Sequence, residues 1–564
     1  MCKETNTTGL PRRFSFKTLD VNLAVLSRKQ PKLVQRISWP VDGSHIVFDD
    51  DTAMYKLHDS EFILSLPNLQ MMGPTQVSEN GNVVFVFGIG LGEQIDVLLE
   101  RFPGRKIMAW DKDPWLVRLF LMQKEYVEPL SSGTLKLHIG ADIINLIPQM
   151  ENFSVFYHPC LKQIYHNEFK LLSSDIGDKR ILINEGGLFV DDAVMSLREF
   201  GYTPFYLNLN KMSMEEIEYA IIQFMPSMVF SINYSNGLSE LCRKFSIRLL
   251  CWEIDPSIDR PKSLSAKDEK SHIFTYRKKS IDSFITAGFQ NVHYLPLASN
   301  AKNRHPDVLS EEDKIRYMCP ISFVGSSMVD QAEVYMKRLE NQYEAFCQHY
   351  RISYDNSENP FKTILELQMS DYSTYKIPEL VRTYLGDFLL YSKENTDQCS
   401  NPIILLAEKA ASEKRLTYLS QLGRYDLKVW GDEGWKCLDS DCIRYMGYAG
   451  HKYEINKIYC GSSINIDINR LYQADMVNMR VFDIMACGGF VIVEYSEDLG
   501  ELFEIDNEVV SFKTLSELLE KVDYYLTNTE KAREIALRGM KAVRERHTIK
   551  ARVKHMLDIM NEDV

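Results

Sequence analysis

Short apolar runs alternate with amphipathic ones in three successive stretches of the chain. NVVFVFG, ending at Gly88, is a continuous apolar run; EQIDVLLERF then sets Ile95, Leu98, Leu99 and Phe102 on one helical face. KIMAW, closing at Asp111, TLKLH and SVFY predict three further strands. A second series opens with RILIN before Glu185-Gly186-Gly187, passes through helical DDAVMSLREFG and reaches the strand TPFYLN. MSMEEIEYAIIQFM follows, with Ile217, Ala220, Ile221 and Phe224 on one face. Ser213 with Glu216 three residues on predicts a capping box at its start. MVFSIN, IRLLCW, HIFTY and VHYLPL continue the strands. The third series begins at Ile321-Ser322-Phe323-Val324-Gly325 and resumes with DLKVW, SINIDI and FVIVE. Between them lie roughly 70 mostly helical residues, longer than a connection between elements should be. Two helices ending in RVKHMLDIM close the chain. Strand–helix alternation predicts parallel sheets with crossover helices.

Ahead of these series, a helical run from Val21 to Ile37 is interrupted by Pro31, which should kink or end it, and Asn80-Gly81 predicts a turn. The expected layout is therefore an N-terminal cap over 1–75, a Rossmann-like unit over 76–178, and α/β units over 179–318 and 319–564. The last carries a helical insertion at about 329–400 that would serve as a lid, an acceptor platform or a dimer surface.

Composition narrows the classes. Of 564 residues, 45% are hydrophobic and 25% charged, which excludes disordered and collagen-like chains. The net charge of −13 disfavours sequence-independent nucleic-acid binding, which runs on clustered Lys and Arg, but leaves small phosphorylated ligands open. Eleven cysteines are dispersed without a CxxC or a Cys/His cluster at metal-ligand spacing, so reduced thiols and a cytoplasmic setting are expected. The start MCKETNTTGLPRRF lacks the apolar stretch of a signal peptide, and no window is long enough to span a membrane.

Three constellations carry candidate chemistry. The first is Gly88-x-Gly90-x-Gly92 after a strand, with Asp111 ending the next strand and Gly140-Ala141-Asp142 after a later one. Glycines let a backbone approach a ligand, and the acid can hold ribose hydroxyls. This layout is similar to the S-adenosylmethionine-dependent methyltransferase sheet, and the alternative is a scaffold turn with no cofactor. Where many such enzymes carry Asn/Asp-Pro-Pro-Tyr, this chain reads Tyr157-His158-Pro159-Cys160, so S-adenosylmethionine is not the expected ligand.

The second constellation is Asn478-Met479-Arg480-Val481-Phe482-Asp483, followed by Gly488-Gly489, with Asp475 eight residues before Asp483. A carboxylate at a helix start can accept from ribose hydroxyls, an arginine can neutralise a diphosphate, and a Gly-Gly pair lets the chain pass close to a ligand. The alternatives are a helix cap for Asp483 and a surface ion pair for Arg480. The third constellation is Glu253, Asp255 and His272 with Asn233, at strand ends where ligands of open α/β sheets lie. One of the acids would act as general base on an acceptor hydroxyl; the alternative is turn chemistry at Asp255-Pro256.

From Lys179 to Val564 the chain resembles the spore-maturation-protein B (CgeB-like) glycosyltransferases. The resemblance rests on Gly186-Gly187, Asn233-Tyr234-Ser235, Cys251 to Asp255, Tyr294 to Ala298, Ser322 to Ser327, Ser463 to Arg470, the Arg480 block and His547-Thr548 through Arg552-Val553. It implies two Rossmann-like lobes of GT-B type, a nucleotide-sugar donor and no bound metal. By it, Asp475 and Asp483 take the places of an E-x7-E pair, the second on the donor ribose and the first near the transferred sugar. Gly325-Ser326-Ser327 would meet the diphosphate through backbone amides. Asn22-Leu23 through Gln30-Pro31-Lys32-Leu33, Leu57 to Ser60 and Phe87 to Gly92 are similar to motility-associated-factor glycosyltransferases, which implies a protein acceptor such as flagellin. A methyltransferase or bifunctional enzyme, and a non-catalytic binding or assembly protein that keeps the lobes, are the rival readings.

Overall fold

The computed structural model describes residues 10–49, 52–57, 60–66, 82–172, 176–209, 212–255, 262–353, 359–395, 401–450 and 454–562. The expected turn at Asn80-Gly81, the His58-Asp59 pair and Pro256 lie outside them. The chain divides into two compact units. One comprises Met1–Val190, Leu197–Ser231 and Lys244–Arg248; the other comprises Asp191–Ser196, Ile232–Arg243 and Leu249–Val564.

In the first unit, β1 (Ile46–Asp49), β2 (Thr52–Leu57) and β3 (Ser60–Ile63) form an antiparallel meander. Next come β4 (Val83–Phe87), β5 (Lys106–Asp111), β6 (Leu135–Ile139) and β7 (Ser154–Tyr157), all parallel, in the order β6-β5-β4-β7. Val84 to Phe87 are buried, as expected of a strand covered on both faces. The two N-terminal helices, Phe16–Lys29 and Pro31–Ser38, part at Pro31 as its missing N–H demands. They are stitched to this sheet unit by side-chain bonds. Asn22 donates to the Leu121 and Lys124 carbonyls (2.8 Å each) and accepts from the Tyr126 amide (2.7 Å). β8 (Arg180–Asn184), β9 (Thr203–Leu207) and β10 (Met228–Ile232) lie parallel in the order β10-β8-β9.

In the second unit, β11 (Arg248–Glu253), β12 (Asp268–Thr275) and β13 (Phe289–Tyr294) run parallel side by side. A six-stranded sheet follows: β14 (Cys319–Val324), β15 (Leu427–Trp430), β16 (Ile443–Tyr445), β17 (Ser462–Asp467), β18 (Val491–Glu494) and β19 (Val510–Phe512). Its order is β16-β15-β14-β17-β18-β19, every pair parallel. The chain winds outward from β14, then returns to β14's other side at β17, which makes a topological switch point where ligands of such sheets bind.

The helical stretch after β14 runs further than expected. Val329–Tyr350, Pro360–Met369 and Ile377–Asn395 are joined by Pro402–Leu422, which extends past residue 400. Leu339, Phe346, Phe361, Ile377, Phe388 and Leu405 form a core of their own. The helix Pro402–Leu422 spans two cores, with Leu406 and Ala410 among the helices and Tyr418, Leu419 and Leu422 against the sheet. Three helices, not two, close the chain: Leu515–Thr527, Thr529–Arg546 and Ile549–Glu562. Among the described residues no helix is long and apolar enough to cross a membrane.

Candidate functional site

The glycine turn of the first unit is closed by the protein itself. Gly88, Gly90 and Gly92 take left-handed φ of 86°, 55° and 83°. Asp111, which was expected to face a ribose, is fully buried and turns toward the loop. It accepts from the Ile89 amide (2.8 Å), the Gly90 amide (3.0 Å), the Asp113 amide (2.9 Å) and the Tyr165 hydroxyl (2.8 Å). Burial pushes its carboxyl up to about 7. Gln94 closes the Gly88 and Ile89 carbonyls. His158 stands over the turn: a Cβ at Gly90 would lie 2.8 Å from its Nε2, and one at Gly92 would lie 2.0 Å from the Phe120 ring. These glycines make room for side chains of this chain. Burial holds His158 down at about 4, so the neutral ring accepts the Leu161 amide at Nδ1 and faces the Leu64 carbonyl through Nε2.

Asp142 is likewise committed. Arg36 donates to it (2.7 Å), grips Glu216 through two 2.7 Å bonds, and bonds the Ile139 carbonyl (2.9 Å). The expected capping box at Ser213 is therefore half made: Ser213 accepts the Glu216 amide at 3.2 Å, while the Glu216 carboxylate belongs to Arg36. Gly186 and Gly187 are exposed, with φ of 108° and 98°, beside Glu185, whose carboxylate lies 3.2 Å from Lys112 Nζ.

In the second unit, Glu253 and Asp255 stand at the end of β11. Asn233 organises the corner from a left-handed φ of 57°: its Oδ1 accepts the Ile254 amide (2.9 Å) and its Nδ2 donates to Asp255 (2.9 Å). Asp255 is exposed, whereas Glu253 is buried and accepts the Tyr234 amide. Burial raises Glu253 to about 7, against the lowering pull of the Tyr234 and Cys251 hydrogen bonds. His272 is buried inside β12, its ring stacked at 5.9 Å on that of His293, and is not at the strand end.

The Arg480 block lands at the switch point. Asn478 caps the helix Met479–Ala486 by accepting the Arg480 amide (3.0 Å), so the capping role weighed for Asp483 falls to Asn478. Arg480 bonds the Val324 carbonyl at the end of β14, and its Nε lies 2.9 Å from buried Asp467 at the end of β17. Its partner is thus a buried acid, not the surface one considered. Asp483 lies inside the helix and is buried, accepting from Ser299 Oγ (2.6 Å) and Arg304 Nε (3.0 Å). Each of its oxygens thus already has a partner within the chain. Asp475 is paired with Arg277, whose Nη2 donates to it at 2.6 Å and to the Tyr472 carbonyl at 2.7 Å.

Two of the three amides of the Gly325-Ser326-Ser327 turn, those of Gly325 and Ser327, are engaged within the protein. Gly325 N–H donates to Trp430 (2.9 Å), Ser327 N–H to Asp432 (2.7 Å), and the Met328 and Val329 amides to the Ser326 and Ser327 hydroxyls. What Gly325 admits is Arg480, whose Nη1 would lie 2.3 Å from a Cβ there. Gly489 admits the Tyr459 carbonyl and Asn465, and Gly488 supplies a φ of 74° at the helix end.

The residue missed by sequence reasoning is Arg415, in the middle of Pro402–Leu422. Only 6% of the ordinary exposure remains to Arg304 and 5% to Arg415, yet Arg304 has Asp483 while Arg415 meets carbonyls. Arg415 donates to the Ser326 carbonyl (2.7 Å) and the Ile468 carbonyl (3.3 Å), and its Nε has no hydrogen-bond partner among the described residues. Burial, then the like charges of Arg480 and Arg470, lowers it to about 9. The other cations here have acids: Arg480 has Asp467, Lys414 has Glu494, Arg470 has Glu408 and Arg277 has Asp475. Arg415 and Arg480 both lie over the Phe323 ring, 5.8 and 5.1 Å from its centre. Glu-Lys-Arg in a Leu- and Ala-rich helix reads as a solvated face, and nothing local in the sequence sets Arg415 apart.

Several blocks of the sequence converge behind this point. Ser299 exchanges backbone bonds with His547 (3.1 Å) and Ile549 (3.0 Å), and Arg552 donates to the Pro296 and Leu297 carbonyls (2.9 and 3.2 Å). Among the described residues no group of three or more His, Cys, Asp or Glu is arranged to hold a metal ion.

Residues 412–558, the stretch from Pro402–Leu422 to the last helix, match the family described as "Glycosyl transferase-like". An uncharacterised protein of Aquifex aeolicus (strain VF5) is 21% identical over 313 residues, covering 55% of this chain and 74% of the relative. Among solved structures, a glycosyltransferase from Rickettsia africae ESF-5 aligns at 13% identity and a TM-score of 0.41, over 68% of this chain and 99% of that one. Anabaena Alr3699/HepE, in complex with UDP and glucose, aligns at 9% identity and a TM-score of 0.35, over 85% and 99%. The MAf glycosyltransferase from Magnetospirillum magneticum AMB-1 aligns at 11% and 0.22, over 52% and 66%.

Proposed function

We propose that the chain is a glycosyltransferase of GT-B type that moves a sugar from a nucleotide-activated donor to an acceptor, with the donor diphosphate at the β14–β17 switch point. The observation that carries this reading is Arg415: a buried guanidinium with no ion-paired carboxylate among the described residues, next to a second arginine, in a segment matching a glycosyltransferase-like family. A buried cation left uncompensated is costly, and an anionic ligand offsets that cost. In this reading the acceptor oxygen bonds the anomeric carbon as the sugar–phosphate bond breaks. The diphosphate leaves with the electron pair, and Arg415 and Arg480 neutralise its growing charge. Glu253, whose carboxyl sits near neutrality, is matched to receive the acceptor proton, with Asp255 beside it at the end of β11.

Within the same proposal, residues 179–318 form the acceptor lobe, 319–564 the donor lobe, and the CgeB-like and motility-associated-factor resemblances point to a cytoplasmic enzyme with a protein acceptor such as flagellin. The methyltransferase reading draws no support from a turn whose amides and acid are spent on each other. Titration calorimetry with UDP, GDP, dTDP and CMP and their sugar conjugates tests the function. Binding of one series, weakened in Arg415→Met, is expected; binding of S-adenosylmethionine alone would overturn it.

A further inference from the structure

The two acids at the end of β11 are held from one place. Asn233 and Tyr234, the two residues after β10, make a hydrogen bond with every residue from Trp252 to Asp255. The Asn233 backbone amide donates to the Trp252 carbonyl (2.9 Å), and the Tyr234 amide donates to the Glu253 carboxylate. Asn233 Oδ1 accepts from the Ile254 amide (2.9 Å) and the Asp255 amide (3.3 Å), while its Nδ2 donates to Asp255 Oδ2 (2.9 Å). These partners fix which end of the side chain is which, because backbone amides only donate and an ionised carboxylate only accepts. Asparagine suits the place on two counts. It tolerates the left-handed φ of 57°, and it carries an acceptor and a donor on one short planar group. Aspartate would lack the donor, and glycine both.

The backbone bond and the Oδ1 contacts already close the turn. The Nδ2 bond reaches an exposed carboxylate, where water competes and little stability is gained. Its effect is to fix the direction of Asp255 and to favour the charged form. Resting on the function proposed above, we infer that Asn233 is a positioning residue for the acceptor, aligning Asp255 to hold the acceptor hydroxyl and Glu253 to take its proton. With water as acceptor, the water oxygen bonds the anomeric carbon and its proton passes to Glu253. The sugar–phosphate bond breaks with its electron pair on the nucleotide. Around Glu253 stand Cys251 on its own strand, whose Sγ donates at 3.6 Å, Tyr234 beyond β10, and Thr275 and Tyr276 at the end of β12. Among the described residues its charged neighbour is Asp255.

Release of free nucleotide by the full chain from the sugar conjugates of UDP, GDP, dTDP and CMP, followed against pH, tests this role. Asn233→Asp keeps the shape and the acceptor of the side chain but sets a third carboxylate against Asp255. At neutral pH its rate should fall about tenfold to a hundredfold, with nucleotide affinity unchanged. A like charge favours the protonated form of its neighbours, so the rising limb of kcat/KM should also move about one pH unit upward. Asn233→Gly keeps the left-handed turn and removes the side-chain amide, and it decides the matter even if the first variant does not fold. It should lose rate with the limb where the parent chain has it. The parent rate in Asn233→Gly would reduce Asn233 to a turn former and overturn the inference while leaving the function standing. An unmoved limb in Asn233→Asp would overturn it too. Release from no member of the panel by the parent chain would remove the acceptor site and the inference with it, whereas binding of one member would still leave the donor site standing.

Discussion

The glycine turn after β4 and the switch point after β14 are built alike, from a parallel strand, a glycine, a helix and a neighbouring strand ending in aspartate. They differ in how their polar groups are accounted for. At the turn, Asp111 spends its oxygens on two loop amides, a third amide and a tyrosine, and a neutral His158 stands where a ligand would lie. At the switch point, Asp467 answers Arg480, and Arg415 is left over. The same topology thus serves once as a sealed scaffold and once as the place proposed to receive an anion. A motif tells where a ligand could sit; the balance of buried charge tells whether one is needed.

Four measurements press on that difference. The largest effect is expected from Asp483→Ala, which leaves Arg304 buried without its acid and Ser299 without its acceptor. Breaking such a pair costs about 3–5 kcal/mol, so urea denaturation should show the second unit severely destabilised, not merely inactive. Gly92→Ala comes next. Its φ of 83° and a Cβ 2.0 Å from Phe120 should cost about 2–3 kcal/mol in the same assay, and nucleotide affinity of the folded fraction should not change. An unperturbed midpoint would mean the turn is open, and the contrast with the switch point would collapse.

Arg415→Met is the converse experiment. Removing an uncompensated buried charge should hold or raise the melting temperature while nucleoside diphosphate affinity drops about tenfold to a hundredfold. Loss of stability without loss of affinity would make Arg415 a structural residue like Arg36. The smallest effect concerns pH. A general base works deprotonated, so with Glu253 raised to about 7 by burial, kcat/KM should climb as pH rises through neutrality and level off above it. Glu253→Gln should abolish that limb, and a profile unaltered by the substitution would move the base to Asp255.

The sequence reads clearly where burial is two-sided. VVFVF, ILI and VIV are continuous apolar runs because parallel strands covered on both faces leave little room for a polar residue except at their ends. β19 escapes notice because three residues, Val510–Phe512, carry no period. At the site, the sequence names residue types but not their partners. Asp483 and Asp475 are legible as acids at a telling spacing, yet Ser299, Arg304 and Arg277, which engage them, lie about 180 to 200 residues away along the chain. Arg36 sits in a short amphipathic helix and looks solvated, and Arg415 looks the same until its burial without an ion-paired acid among the described residues is seen.

The parallel bridge between Ser299 and Thr548 has a consequence for biosynthesis. Ser299 and Arg304 are translated early, but the strand-like segment around Thr548 and the Arg552 side chain that fasten this region emerge about 250 residues later. At about 5–20 residues per second, the serine that braces Asp483 waits tens of seconds for its fastening. The first unit's glycine turn, closed by contacts no further along than Tyr165, can mature during that interval. The region around Asp483 is thus among the last parts of the molecule to be fastened during synthesis.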